Sequence, residues 1–141
     1  MNDEILTRRF QDINDLLSGL AGLQDCACYV LSYQSGHHLL TLAILENSPE
    51  PSFYLHFEPT FYFEGPTRWT GVNFRLATQD EWQEVLLKTP HKISGDFVDE
   101  FIKRHFLFVM KKPDCQVKIL SATCYKVTQA PRVFLSYADN L

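Results

Sequence analysis

Glycine is scarce in this chain, with 6 copies in 141 residues. A phosphate cradle needs glycines close together so that backbone N–H groups can converge on an anion. Neither a P-loop nor a G-x-G-x-x-G turn is present. Also missing are the G-x-S-x-G elbow, the H-E-x-x-H helix and the C-x-x-C knuckle. The common signatures of serine hydrolases, zinc proteases and structural zinc sites are therefore absent. No apolar run approaches the roughly 20 residues a membrane-spanning helix requires. An excess of basic residues is lacking too: 13 Lys and Arg stand against 17 Asp and Glu, a net charge of −4. Nucleic-acid binding draws affinity from neutralised phosphates, so this balance argues against it. The short basic pairs Arg8-Arg9, Lys103-Arg104 and Lys111-Lys112 read as solvated faces.

Cysteine is limited to Cys26, Cys28, Cys115 and Cys124. The N-terminus MNDEILTRRF has neither the basic nor the apolar region of a secretory leader. Together these features predict reduced thiols in a cytoplasmic protein, packed in a sheet rather than holding a metal. No metal and no cofactor is expected.

What the chain has is aromatic residues, 11 Phe and 6 Tyr among them, in a composition that is 45% hydrophobic and 21% charged. Aromatics suit half-buried pleated surfaces. The length fits one domain over residues 1–141. Residues 3–20 have a helical period, with Leu6, Phe10, Ile13, Leu17 and Leu20 on one face and Glu4, Arg8, Gln11 and Asp15 on the other. Residues 26–33 and 38–46 read as two strands joined by a turn at Gln34-Ser35-Gly36. The clearest alternation runs over 53–64. Phe53, Leu55, Phe57, Phe61 and Phe63 take one side, and Tyr54, His56, Glu58, Thr60, Tyr62 and Glu64 take a wet one. Pro59 marks an edge, bulge or break within it.

After a turn over 65–71, Val72, Phe74 and Leu76 alternate again, so FYFEGPTRWTGVNFRLAT reads as a hairpin with Arg68 and Trp69 in its turn. Thr78 and Glu81 have the spacing of a capping box, opening a helix over Trp82, Val85 and Leu86 that Pro90 ends. A second short helix, capped by Ser94 or Asp96, would carry Phe97, Val98, Phe101 and Ile102, with the helix-to-strand boundary near His105 left open. Residues 106–111 and 115–128 read as strands, and 131–141 as a possible edge strand through Val133 and Leu135. The class is α+β: a curved, mainly antiparallel sheet of about six strands with the N-terminal helix packed on it and one or two short helices around 79–104.

Two surfaces are candidates for function. Arg68 and Trp69 combine large area with directional donors, as interface anchors do. Trp69 either presents that surface or folds over the rim of the core. Along the adjacent strand, Tyr54, His56, Glu58, Tyr62 and Glu64 form a polar, aromatic stripe that extends a binding face. His56 and Glu58 have the residue types of an acid–base pair, but no catalytic residue is assigned.

The stretches LLSGLAGLQDCACYVLSY, HHLLTLAILE and FYLHFEPTFYFEG resemble a group of small bacterial α+β proteins, some of which are immunity proteins of polymorphic toxin systems. The resemblance covers the first half of the chain. It departs at Gln24-Asp25-Cys26, where that group has a His-Asp-Ala-like turn. It implies a small, non-catalytic cytoplasmic protein. The expectation is thus a non-enzymatic protein-binding module, an immunity or accessory protein whose acidic charge steers a basic partner. The alternatives are a small-molecule binder or enzyme with a pocket at the mouth of the sheet, built from His56, Glu58, Tyr62 and Cys28, and a structural homodimer.

Overall fold

The structure, a computed structural model, describes residues 3–89 and 95–129, without the side chain of Asp96. The sequence expectations at Pro90 and Ser94, the capping role of Asp96 and the edge strand at 131–141 lie outside what it describes. A helix α1 (Asp3–Leu20) leads into β1 (Ala27–Gln34), β2 (Leu39–Leu45), β3 (Phe53–Glu64), β4 (Arg68–Thr70) and β5 (Arg75–Leu76). Helix α2 (Gln79–Lys88), a 3-10 turn at Gly95–Phe97 and α3 (Val98–Arg104) follow, then β6 (Phe106–Lys112) and β7 (Cys115–Val127). The seven described strands form one antiparallel sheet in the order β4-β1-β2-β3-β7-β6-β5, curled into a half-barrel.

The inner face of the curl holds the main core. Leu42, Ile44, Phe53, Leu55, Phe57, Phe108 and Ile119 pack there, beneath Ile13 and Leu20 of α1. Burying each of those two helix side chains contributes about 2 kcal/mol. Both lie on the apolar stripe read from the sequence, while Glu4, Arg8, Gln11 and Asp15 are exposed. The opposite side of β6 and β7 carries a smaller core of Trp82, Val85, Leu107, Val109 and Leu120, covered by α2 and α3. Helix α2 begins as its spacing predicts. The Thr78 hydroxyl accepts from the Glu81 N–H, and the Glu81 carboxylate accepts from the Thr78 N–H at 2.9 Å.

Three expectations are corrected. Residues 61–78 do not form a hairpin: β4 pairs with β1, and β5 pairs with β6. Trp69 is therefore on a strand, not in a turn. Next, Phe61 does not join the other phenylalanines. The register of β3 against β7 shifts between Thr60 and Tyr62, which adds one residue and turns Phe61 outward against Phe101 and His105. Phe63 regains the inner face beyond it. Finally, the even-numbered face is not uniformly wet, because Tyr54, His56 and Thr60 are buried.

Candidate functional site

The seven residues that the sequence singles out do not form one surface. Trp69 is only 6% exposed. Its indole N–H donates to the Gly71 carbonyl at 2.8 Å, and its ring lies 6.4 Å from Phe63 inside the curl. It closes the core, which is the other outcome the sequence leaves open. Arg68 beside it is exposed, with its guanidinium 5.4 Å from the centre of the Tyr29 ring. Strand β4 is an edge of the sheet, separated from β3 by β1 and β2.

Tyr62 and Glu64 fasten α2 to the sheet. The Tyr62 hydroxyl donates to Glu64 at 2.5 Å, and Gln116 and Lys88 reach the same carboxylate at 3.2 and 3.5 Å. Burial, followed by the Glu64 hydrogen bond, pushes the Tyr62 phenol up to about 12. The hydrogen bond from Tyr62 holds Glu64 below the usual carboxylate range. Lys118, only 1% exposed along its side chain, pairs with Glu84 of α2 at 3.4 Å. These groups hold elements together.

Tyr54, His56 and Glu58 do share one part of β3. The His56 ring lies parallel to Tyr125 with centres 5.2 Å apart, and the Tyr125 hydroxyl donates to Glu58 at 3.2 Å. Burial pushes the imidazole toward its neutral form against the pull of Glu58. Among the described residues neither ring nitrogen finds a hydrogen-bond partner, nor does the hydroxyl of Thr41, which faces His56 across the β2–β3 ladder. A general-base relay needs the base hydrogen-bonded to its orienting carboxylate. Here Glu58 accepts from Tyr125 instead, so His56 and Glu58 are neighbours without being joined.

The cysteines are all free. Burial pushes the Cys28 and Cys124 thiols far up, which keeps them protonated and poor nucleophiles. Among the described residues no cluster of three or more His, Cys, Asp or Glu is placed to hold a metal ion. No described helix is long and apolar enough to cross a membrane.

A concavity lies elsewhere, at the end of β6. Strand β5 pairs only opposite Phe108 and Val109, so the sheet stops short of Phe106 on that side. Helix α1 passes the gap on one side and α3 on the other. The resulting groove has a volume of about 630 Å³, inside the range typical of ligand sites. Its floor is apolar, with Leu6, Phe10, Trp82, Ile102 and Phe106 among its lining. Among the described residues, the charged and titratable groups that line it are Arg9, Lys103 and His105, and no carboxylate does.

Arg9 holds the two helices together, donating to the Ala122 carbonyl and, at 3.2 Å, to that of Arg104. His105 stacks on Phe101 at 3.9 Å, and its Nδ1 is 2.7 Å from the Phe101 carbonyl oxygen. A carbonyl can only accept, so Nδ1 carries the proton and Nε2 is the atom left to gain one. Burial lowers the His105 pKa, the Phe101 hydrogen bond opposes that shift, and the charges of Arg9 and Arg104 add to the lowering.

Ile5 and Phe10 stand exposed on α1, Phe10 at 53%. Phe61 is exposed where it meets His105, with ring centres 4.9 Å apart. The sequence contains the parts of this groove but not their meeting. Arg8-Arg9 and Lys103-Arg104 each read as an isolated solvated pair, yet the fold brings Arg9 onto the backbone of Arg104. No protein-family model, curated protein or solved structure matches this chain.

Proposed function

We propose that this chain is a non-enzymatic protein-binding module whose docking face is the groove between α1 and α3. One observation carries the reading: an apolar groove whose lining, among the described residues, is basic and not acidic, continuous with exposed Phe10 on α1. Apolar anchors beside cations are the composition of an interface centre and its rim. The occupant is a segment of another protein that presents apolar side chains flanked by carboxylates. Phe61, exposed where it meets His105, widens the patch beyond what a small molecule would cover. The local sign is opposite to the net charge of −4, so an acidic segment is steered to this face and not to the molecule as a whole. An immunity or accessory role, as the resemblance in the first half of the chain implies, would be one instance of such binding.

The test is affinity capture with the partner identified by mass spectrometry, repeated with Phe10→Glu, Lys103→Glu and Arg68→Ala. Both groove variants should lose the partner that the wild type and Arg68→Ala retain. The interaction should weaken as salt rises. Loss of the partner with Arg68→Ala alone would move the interface to the β4 edge and end this reading. A dimer in light scattering that Phe10→Glu dissociates would make a second copy of this chain the occupant and would equally overturn it.

A further inference from the structure

We propose that the groove contains a carboxylate subsite at Lys103 and His105, and that filling it draws a proton onto His105. The inference deepens the docking face just described and rests on it for the identity of the natural ligand. The chemistry recognised is a carboxylate on an apolar stem. Its source is an acidic side chain or chain end of the partner, or a free apolar acid.

The geometry leads there in three steps. The floor offers Phe10, Ile102 and Phe106 to an apolar stem, and Trp82 lies in the same lining. Lys103 and His105 stand two residues apart at the end of α3 and both line the groove. Cations at a helix C-terminus are favoured by the backbone carbonyls there, so the position tolerates positive charge. His105 then supplies a switchable donor: with Nδ1 committed to the Phe101 carbonyl, protonation places an N–H at Nε2.

The groups that face His105 account for its behaviour. From α1 comes Arg9, from its own helix come Arg104 and the Phe101 ring, and from β3 comes the uncharged ring of Phe61. Glu100 pairs with Lys103 at 3.7 Å and with Arg104 at 3.7 Å on the exposed side of α3. These surroundings favour the neutral imidazole, burial being the largest cause. An entering carboxylate changes the sign of the local field and favours the imidazolium. Binding and protonation are therefore linked, and each strengthens the other.

Octanoate is the probe, with octylammonium as the charge-reversed control. Trp82 lines the groove and Trp69 does not, so tryptophan fluorescence reports occupancy, and Trp82→Phe should abolish the signal. Octanoate should bind about three- to fivefold more tightly at pH 6 than at pH 8, the factor expected if the bound carboxylate raises by about one unit a His105 pKa that lies somewhat below the ordinary imidazole value. It stays ionised across that range, so its own titration does not account for the change.

His105→Gln should keep binding at pH 8 and lose most of the pH dependence. Lys103→Met should weaken binding at both pH values. Calorimetry in buffers of different ionisation heat should show proton uptake for the wild type and none for His105→Gln. Tighter binding of octylammonium, or an unchanged pH dependence in His105→Gln, overturns the proposal. If octanoate fails to bind while Phe10→Glu still removes the captured partner, the docking face stands and the carboxylate subsite falls. If octanoate binds and no partner depends on the groove, the ligand is a free acid and the protein-binding reading falls.

Discussion

At the scale of single residues, burial and pairing identify the polar groups that build the molecule. Glu81 is the clearest builder. Its carboxylate accepts from Arg75 through both oxygens, at 2.7 and 3.0 Å, and from the Thr78 N–H. The Arg75 hydrogen bond is the main cause that holds it at about 2. A carboxylate depressed in the folded state adds stability that is complete above its unfolded value and is lost as pH falls through the folded one. Glu81→Gln keeps a side chain that can complete the capping box but removes the charge. At pH 7 it should cost about 1 kcal/mol, since half-exposed Arg75 is partly screened. The difference from wild type should shrink as pH falls from 4.5 toward 2, the span between the ordinary and folded values. Urea midpoints of the two proteins at pH 7 and pH 2.5 check this, and a pH-independent gap would show that lost packing, not charge, is responsible. Trp69 teaches the complementary lesson. A tryptophan beside an arginine has the composition of an interface anchor, but the indole N–H finds the Gly71 carbonyl and the ring fills the core.

At the scale of elements, what is legible in the sequence is what local chemistry decides. The α1 helix and the Thr78–Glu81 box depend on residues a few positions apart, and each forms where its spacing puts it, whereas β3 spans the expected residues but loses its alternation at Phe61. The strand partners are less legible, because β4 reaches β1 only through the curl of the whole sheet. Pro59 reads as an edge, bulge or break, but nothing local gives the side to which Phe61 turns. Glycine separates the two kinds of information. Gly71 follows β4 at φ 108, with its N–H donating to the Cys26 carbonyl at 2.8 Å. A Cβ there would sit 2.9 Å from the Gln24 carbonyl oxygen and 2.8 Å from the Lys112 ammonium. The lysine can move and the backbone oxygen cannot. Gly71→Ala should therefore destabilise by about 1–3 kcal/mol through strain and crowding. At Gly19, within α1, an added methyl group would meet nothing within 4 Å. Gly19→Ala should stabilise by about 0.5–1 kcal/mol through helix propensity alone. Thermal unfolding of both variants tests the contrast, and equal shifts would refute it.

At the scale of the whole molecule, one stripe of α1 is buried at one end and half exposed at the other. The sequence places Leu6, Phe10, Ile13, Leu17 and Leu20 together as a buried face. Ile13 and Leu20 are buried over the curl, whereas Phe10 reaches the edge of the sheet and stands half exposed near Phe106, with ring centres 6.5 Å apart. Periodicity reports which side of a helix is apolar; it does not report where the surface beneath it ends. The groove is hidden from the sequence for the same reason, since it exists only where α1, β6 and α3 stop covering one another. The division makes stability and the proposed binding separable. Ile13→Ala opens a cavity in the main core and should cost about 2–5 kcal/mol. Phe10→Glu exchanges a half-exposed ring at a rim and should stay within about 1 kcal/mol of wild type. Denaturant titration should thus rank Ile13→Ala as strongly destabilised and Phe10→Glu as near native. Octanoate titration at a temperature where both are folded should rank them in the opposite order, with Ile13→Ala near wild type and Phe10→Glu weakened by more than tenfold. Phe10→Glu unfolding as readily as Ile13→Ala would show that the whole stripe is core and that the groove is a packing defect at the end of the sheet.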